Sequence, residues 1–415
     1  MKIKSKKTVL AGTCVCAIML VAGLVACAPQ SNTTGSAESQ IMPDQDSFGV
    51  VVADEWSGLY PNQHATYEAN EANGPESGKH NYLELYPALN TMYKGYAFAL
   101  GYDEASSHVY ALQSVSNTPR TTQKEQLANC ITCKTPQFTA QVNSEGDGVY
   151  AKKFNDLIGT FTEPISCYNC HENDPKELTV ASKFFTEKSM GNDGAKVPMA
   201  AQVCGQCHNE YYFNPETKVT TNPYSGLAAM TPEAILAYYD GLGFKDWEHP
   251  LTGAKMLKVQ HPEFETVYGG KQMHMAQLGY SCADCHMGTS VAEDGTSFTN
   301  HTWTSPLENA DLMKNTCSTC HEDLAGQVKA WQAEEEERVT AISEKIEDYI
   351  NKLAAAKDTL SAEDLATAQN LHRTAQFYWD FVMVENSEGA HNPELTFATL
   401  DKAEAAVDQG LALVS

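Results

Sequence analysis

Five short stretches decide how this chain is read: Cys130-Ile131-Thr132-Cys133-Lys134, Cys167-Tyr168-Asn169-Cys170-His171, Cys204-Gly205-Gln206-Cys207-His208, Cys282-Ala283-Asp284-Cys285-His286 and Cys317-Ser318-Thr319-Cys320-His321. Each holds two thiols three residues apart, and four put a histidine directly after the second thiol. Cys-x-x-Cys-His is the attachment sequence of c-type haem: the two thiols reach the two vinyl groups and the next side chain faces the iron. Zinc also favours Cys-x-x-Cys, but it does not account for a histidine at that place in four of five motifs. Of the 13 cysteines, these motifs take ten, and Cys14, Cys16 and Cys27 lie near the N-terminus. None is left for a disulfide framework or a lone catalytic thiol.

Lys134 stands where the other motifs supply an iron ligand. A lysine binds iron only as the free amine, and losing the proton at pH 7 from an ordinary pKa of about 10.4 costs roughly 4–5 kcal/mol. An apolar pocket and the metal bond must offset that cost. Histidine carries no such penalty, so lysine here points to a haem with a task other than electron transfer. The competing reading is a haem ligated from elsewhere, with Lys134 in solvent. Four of the 13 histidines follow motifs, which leaves His64, His80, His108, His249, His261, His274, His301, His372 and His391 as the pool for four distal ligands. An iron between two histidines moves electrons, whereas an iron with an open face binds substrate. The chain therefore reads as four wires and one reaction centre.

The 415 residues have room for one large domain or two to three ordinary ones. An apolar content of 42% supports a globular body. With 53 acidic against 28 basic residues and a formal charge of −25, the chain is a poor partner for nucleic acid or other polyanions. Its N-terminus has a basic start (Lys2, Lys4, Lys6, Lys7), an uncharged apolar run from Thr8 to Val25, and then Leu24-Val25-Ala26-Cys27. This is similar to a bacterial lipoprotein signal, in which Cys27 is acylated and becomes the first residue. An uncleaved span is the alternative, since about 18 apolar residues can just cross a bilayer. The polar stretch from Gln30 to Gln45 that follows at once favours the lipid anchor. We therefore expect a signal peptide over 1–26, a linker over 27–48, and a body outside the cytoplasm, in the periplasm or on the outer face of the cytoplasmic membrane, tethered through Cys27. Cleavage removes four lysines and takes the charge from −25 to −29. Replacing Cys27 by serine is expected to release the protein from membranes or to leave the precursor uncleaved, with haem retained. Mass spectrometry of the mature N-terminus checks this, and an unmodified N-terminus well beyond residue 27 would contradict it.

With these motifs in hand, the chain resembles the pentahaem cytochrome c nitrite reductases, the ammonia-forming family, from about Trp56 to His391. The resemblance rests on five motifs with lysine in the first, on His108-Val-Tyr-Ala-Leu-Gln-Ser-Val-Ser-Asn-Thr-Pro-Arg120, on Cys204-Gly-Gln-Cys-His-Asn-Glu-Tyr-Tyr-Phe213, and on Lys258-Val-Gln-His261-Pro-Glu. It implies a reaction-centre haem on Cys130 and Cys133 with Lys134 as proximal ligand, and a distal pocket of Arg120, Tyr211 and His261. It implies calcium held by Glu210, Gln260 and the carbonyls of Tyr211 and Lys258, an all-oxygen set of the kind a hard cation prefers. It makes His301, His108, His391 and His274 the distal ligands of the second, third, fourth and fifth haems. Their proximal partners are His171, His208, His286 and His321. The implied reaction is six-electron reduction of nitrite to ammonium. The implied partners are a membrane-anchored multihaem quinol dehydrogenase as donor and a second copy of the chain. In that chemistry Arg120 is a permanent cation with planar donors, and His261 is a histidine suited to proton delivery near neutrality. A non-catalytic electron-transfer lipoprotein is the rival reading, but a conduit has no use for Lys134, Arg120, Tyr211 and His261 together.

The fold class expected is mainly α. Residues 49–322 read as a pentahaem catalytic body of short helices and long loops, punctuated by glycine and proline and without sustained strand alternation. Residues 323–415 read as a region of long helices. There Val339, Ile342, Ile346, Ile350 and Leu353 recur at three- and four-residue spacing, a helical seam. Ser361-Ala-Glu-Asp364 signals the start of a second helix ending near Asn386, and a third is expected from Pro393 to Leu413. Glu334 to Glu337 read as a solvated face. The resemblance makes this region a homodimer interface, with packing against the haem body as the alternative.

Overall fold

The computed structural model describes residues 42–75 and 81–415. The signal segment, Cys27 and most of the linker lie outside the described residues. Residues 43–415 form one unit, and it is mainly helical, with short helices and 3-10 turns joined by long loops. Among the described residues, sheet is limited to three two-stranded antiparallel hairpins: Tyr212–Phe213 with Thr220–Thr221, Trp247–Glu248 with Lys255–Met256, and Thr289–Val291 with Ser297–Thr299. No described helix is long and apolar enough to cross a membrane.

The three long helices run over Leu324–Ala356, Ala362–Met383 and Pro393–Val414. Asp323 caps the first, and Ser361 caps the second by accepting from the Asp364 N–H at 3.1 Å. The expected seam is real: Val339, Ile342, Ile346, Ile350 and Leu353 are all buried. They share one core with Trp379, Leu400 and Val407 from the other two helices and with Leu89, Met92, Tyr93, Trp247 and Met256 from the preceding part of the chain. Fully burying such side chains contributes about 1.5–3 kcal/mol each. The inner faces of the long helices are therefore used within the chain. The closeness of the fit shows at Gly410, where an added Cβ would lie 2.2 Å from the Tyr349 ring. The second helix stops at Met383, and the chain then turns through Glu388 (φ +53°) and Gly389 (φ +86°).

The reading of Glu334 to Glu337 as a wholly solvated face is corrected at one position. Glu335 is buried, and burial together with Glu388, Glu336 and Glu385 pushes its carboxyl up to about 8. The helix turns this one glutamate inward, toward the 385–389 turn.

Candidate active site

The first motif is built differently from the others. The second and fourth lie on helical turns, Cys167–His171 and Cys282–His286. Side chains at their starts close on the backbone: Ser166 N–H donates to Asn169 Oδ1 at 3.0 Å, and Ser281 N–H to Asp284 Oδ2 at 2.7 Å. The first motif instead leaves a 3-10 turn at Ile131 and makes a type II turn: Thr132 has φ −50°, ψ 136°, and Cys133 has φ +62°. The Lys134 N–H closes it on the Ile131 carbonyl at 3.0 Å. A non-glycine residue at that place is strained by about 1–2 kcal/mol. Lys134 thus leaves the backbone in a direction that a helical turn does not offer.

Arg120, Tyr211 and His261 all gather around this motif. Arg120 lies 4.8 Å over the Phe98 ring, and its Nη2 donates to the Gly101 carbonyl at 3.1 Å. Gly101 has φ +65°, and a Cβ there would lie 2.5 Å from Pro119, so only glycine lets this loop close on the arginine. Tyr211 feels the charges of Cys133, Cys130 and Arg120, and burial pushes its phenol well above the ordinary range, so it is a protonated donor. His261 has its Nδ1 enclosed without a partner. Enclosure lowers its imidazole to about 4, with Glu263 opposing and Lys134 assisting, so the ring is neutral at pH 7 rather than poised near neutrality as expected from its type.

The expected calcium residues also meet. Glu210 is fully buried, accepts from the Tyr239 hydroxyl at 2.7 Å and from the Gln260 N–H at 2.6 Å, and Gln260 Nε2 lies 3.3 Å from the Lys258 carbonyl. Behind it lies Glu265, which accepts from the Glu210 N–H at 2.8 Å. Among the described residues neither glutamate has an ion pair with a basic side chain. Burial raises both carboxyls, Glu265 to about 8. Two buried carboxylates without a cation beside backbone carbonyls form a donor set that a calcium ion would balance.

Metal-bound imidazole needs one ring nitrogen anchored so that the other faces the metal. His171 Nδ1 is anchored on the Glu177 carbonyl (2.8 Å), His286 Nδ1 on the Thr304 carbonyl (3.0 Å), His301 Nδ1 on the Thr299 carbonyl (2.9 Å) and His391 Nδ1 on Glu385 (2.6 Å). His208 Nδ1 lies 3.6 Å from Glu263. Two imidazoles bonded at ~2 Å to opposite sides of one metal put their ring centres roughly 6 Å apart. His286 and His391 stand 5.9 Å apart, and His208 stands 5.8 Å from His108 and 6.2 Å from His261, so spacing by itself does not choose the partner of His208. His301 feels the charge of His171. His274 is exposed, and it makes no ring contact with His321 among the described residues. The third motif is central: Cys207 interacts electrostatically with Cys133 of the first, Cys204 with Cys282 of the fourth, and Cys204 also acts on Cys170 of the second.

Sequence reasoning missed the carboxylates that hold the site. Glu263, two residues after His261, was in view inside a matched segment. Glu385 and Asp380 were not, although Asp380 is the lone charge in the apolar run from Phe377 to Met383. His249 and His372, in the pool of candidate ligands but not in the implied ligand set, are both buried, with ring centres 5.1 Å apart.

The chain is similar in sequence and fold to known proteins. The cytochrome c552 family model matches residues 53–415. The cytochrome c nitrite reductase subunit NrfA of Nitratidesulfovibrio vulgaris is 33% identical over 396 residues, covering 83% of this chain and 75% of its own length. A cytochrome c-552 of Parabacteroides distasonis is 32% identical over 365 residues, covering 82% of this chain and 72% of its own. Among solved structures, the cytochrome c nitrite reductase of Desulfovibrio desulfuricans superposes with a TM-score of 0.76 at 27% identity, over 88% of this chain and 86% of that one. That structure is described for the relevance of two calcium sites in its catalytic subunit.

Proposed function

Because the chain belongs to the cytochrome c552 family of pentahaem nitrite reductases, and is an oxidoreductase carrying c-type haem, we propose that it reduces nitrite to ammonium at its first motif. The observation that carries this reading is the gathering of Arg120, Tyr211 and His261 around the one motif that ends in lysine. Cys130, Cys133 and Lys134 would hold the reaction-centre haem. The wires would be held by Cys167, Cys170, His171 and His301; Cys204, Cys207, His208 and His108; Cys282, Cys285, His286 and His391; and Cys317, Cys320, His321 and His274. Bound there, haem would supply electrons and, at the first motif, an iron able to bind nitrite.

Nitrite, six electrons and eight protons give ammonium and two waters, so the residues around the substrate must hold an anion and deliver protons. Arg120, pinned by Gly101 and Phe98, presents fixed positive charge to the nitrite oxygens. Tyr211 and neutral His261 each bring a hydrogen-bond donor that strengthens as charge builds on the departing oxygens. Calcium on Glu210, Gln260 and the carbonyls of Tyr211 and Lys258 would neutralise the buried carboxylates and steady Tyr211 and His261, which adjoin its ligands in sequence. Electrons would reach the first motif through the third, whose Gln206 carbonyl lies 3.7 Å from Cys133 Sγ. The electron donor would be a membrane-anchored multihaem quinol dehydrogenase, met by a lipid-anchored homodimer outside the cytoplasm.

Chelating calcium, or replacing Glu210 by alanine, is expected to lower turnover about 10–100-fold while all five haems stay attached. Metal analysis of active protein that found no calcium would contradict the site. The reading of one reaction centre among five is tested by titrating the oxidised holoprotein with nitrite. One high-spin haem should respond and four low-spin haems should not. A response spread over several haems would count against it.

A further inference from the structure

Three consecutive backbone N–H groups lead into His261, and each is taken by a different carboxylate, of which those of Glu210 and Asp380 are fully buried. Lys258 N–H donates to Asp246 Oδ2 at 2.8 Å, Val259 N–H to Asp380 Oδ2 at 2.8 Å, and Gln260 N–H to Glu210 Oε2 at 2.6 Å. Glu210 belongs to the candidate calcium set. Asp246 adjoins the Trp247–Met256 hairpin. Asp380 comes from the second long helix, a region the reading of the sequence assigned only to packing or dimer contacts.

Asp380 is fully buried. Besides the Val259 amide it takes Lys258 Nζ at 3.0 Å and the Tyr93 hydroxyl. The same helix grips the preceding backbone: Gln369 Nε2 donates to the Thr252 carbonyl at 2.8 Å, and Arg373 Nη1 donates to the Lys255 carbonyl at 2.6 Å. Residues 369, 373 and 380 are spaced by four and seven, so they form one face. That face follows the chain from Thr252 to Val259 and ends two residues before His261. A buried ion pair is a poor source of stability compared with apolar packing. A carboxylate that also takes a backbone amide fixes where that backbone lies.

We propose that Asp380 is a positioning residue: it holds the 258–260 segment from behind, so that the Lys258 carbonyl and the Gln260 side chain converge on calcium and His261 faces the first motif. This rests on the calcium reading above. It makes the second long helix a working part of the reaction centre.

The test uses the full-length holoprotein carrying Lys258→Met with Asp380→Leu, which removes both charges together, and Asp380→Asn as a second variant. After chelation, calcium titration of the double variant should show affinity weakened about 10–100-fold. Amide exchange of the 257–261 segment should speed up, while haem content and the four low-spin spectra stay as in the wild type. Nitrite turnover should fall at limiting calcium and recover as calcium is raised. Lys345→Ala, an exposed pair with Glu404 and Asp408 on the first long helix, should change none of these. Wild-type calcium affinity and wild-type exchange in both variants would overturn the proposal. If the wild type itself bound no calcium, the calcium reading would fall, and the exchange of segment 257–261 alone would decide the role of Asp380.

Discussion

Replacing Lys134 by alanine should remove most nitrite reduction and change the spectrum of one haem only. In the wild type, one high-spin haem should stand beside four low-spin ones, and it alone should take up nitrite, cyanide or nitric oxide. The type II turn at Thr132 and Cys133 aims residue 134 along a path that the helical motifs do not use. Alanine cannot reach the metal from there, so an exchangeable or water-filled position should result. Lys134→His removes the roughly 4–5 kcal/mol deprotonation cost of a lysine ligand. It also brings a shorter side chain to a turn shaped for a long one and would change the donor that residue 134 offers the iron. Haem retention with impaired turnover is expected. Absorption, electron paramagnetic resonance and kinetics on the same preparations check this. An unchanged high-spin signal and an unchanged rate in Lys134→Ala would make the lysine a bystander.

The second large effect is expected in the distal pocket. His261→Asn and Tyr211→Phe should each cut nitrite reduction by about 10²–10⁴-fold, the usual worth of a positioned acid–base group. All five haems should remain attached, since neither residue belongs to an attachment motif. His261→Asn keeps a hydrogen-bond donor but not a group that cycles through a proton. Tyr211→Phe keeps the ring and its contact with Phe213, 5.7 Å away, but loses the hydroxyl. A loss below a few-fold in either variant would mean that protons arrive by another route.

What could be read from the sequence was whatever is local in the chain. An attachment motif is five adjacent residues, a cap is four, and the seam from Val339 to Leu353 repeats every three or four, so each carries its own signal. The hairpins escaped notice because strands of two or three residues are too short to alternate. The pairings that finish the site are made through space and leave little local trace. Glu385 anchors His391 across a turn, Asp380 reaches Val259 from 121 residues away, and Gly101 receives Arg120 only because a loop closes on Pro119. His391 shows the difference well. In the sequence only the family resemblance singles it out, whereas in the fold its ring lies 5.9 Å from His286 with Nδ1 held by a carboxylate. His261 shows the opposite: its residue type suggested titration near neutrality, and its enclosure lowers it to about 4.

The measurement that bears most directly on the central claim is nitrite turnover by the purified holoprotein with a reduced viologen as donor, counting both products and electrons. The account predicts ammonium in equal amount to the nitrite consumed, six viologens oxidised for each, and no release of nitric oxide or nitrous oxide. Electron uptake without nitrite loss would make the chain a conduit, and a gaseous product at one or two electrons per nitrite would contradict the reaction assigned to the first motif.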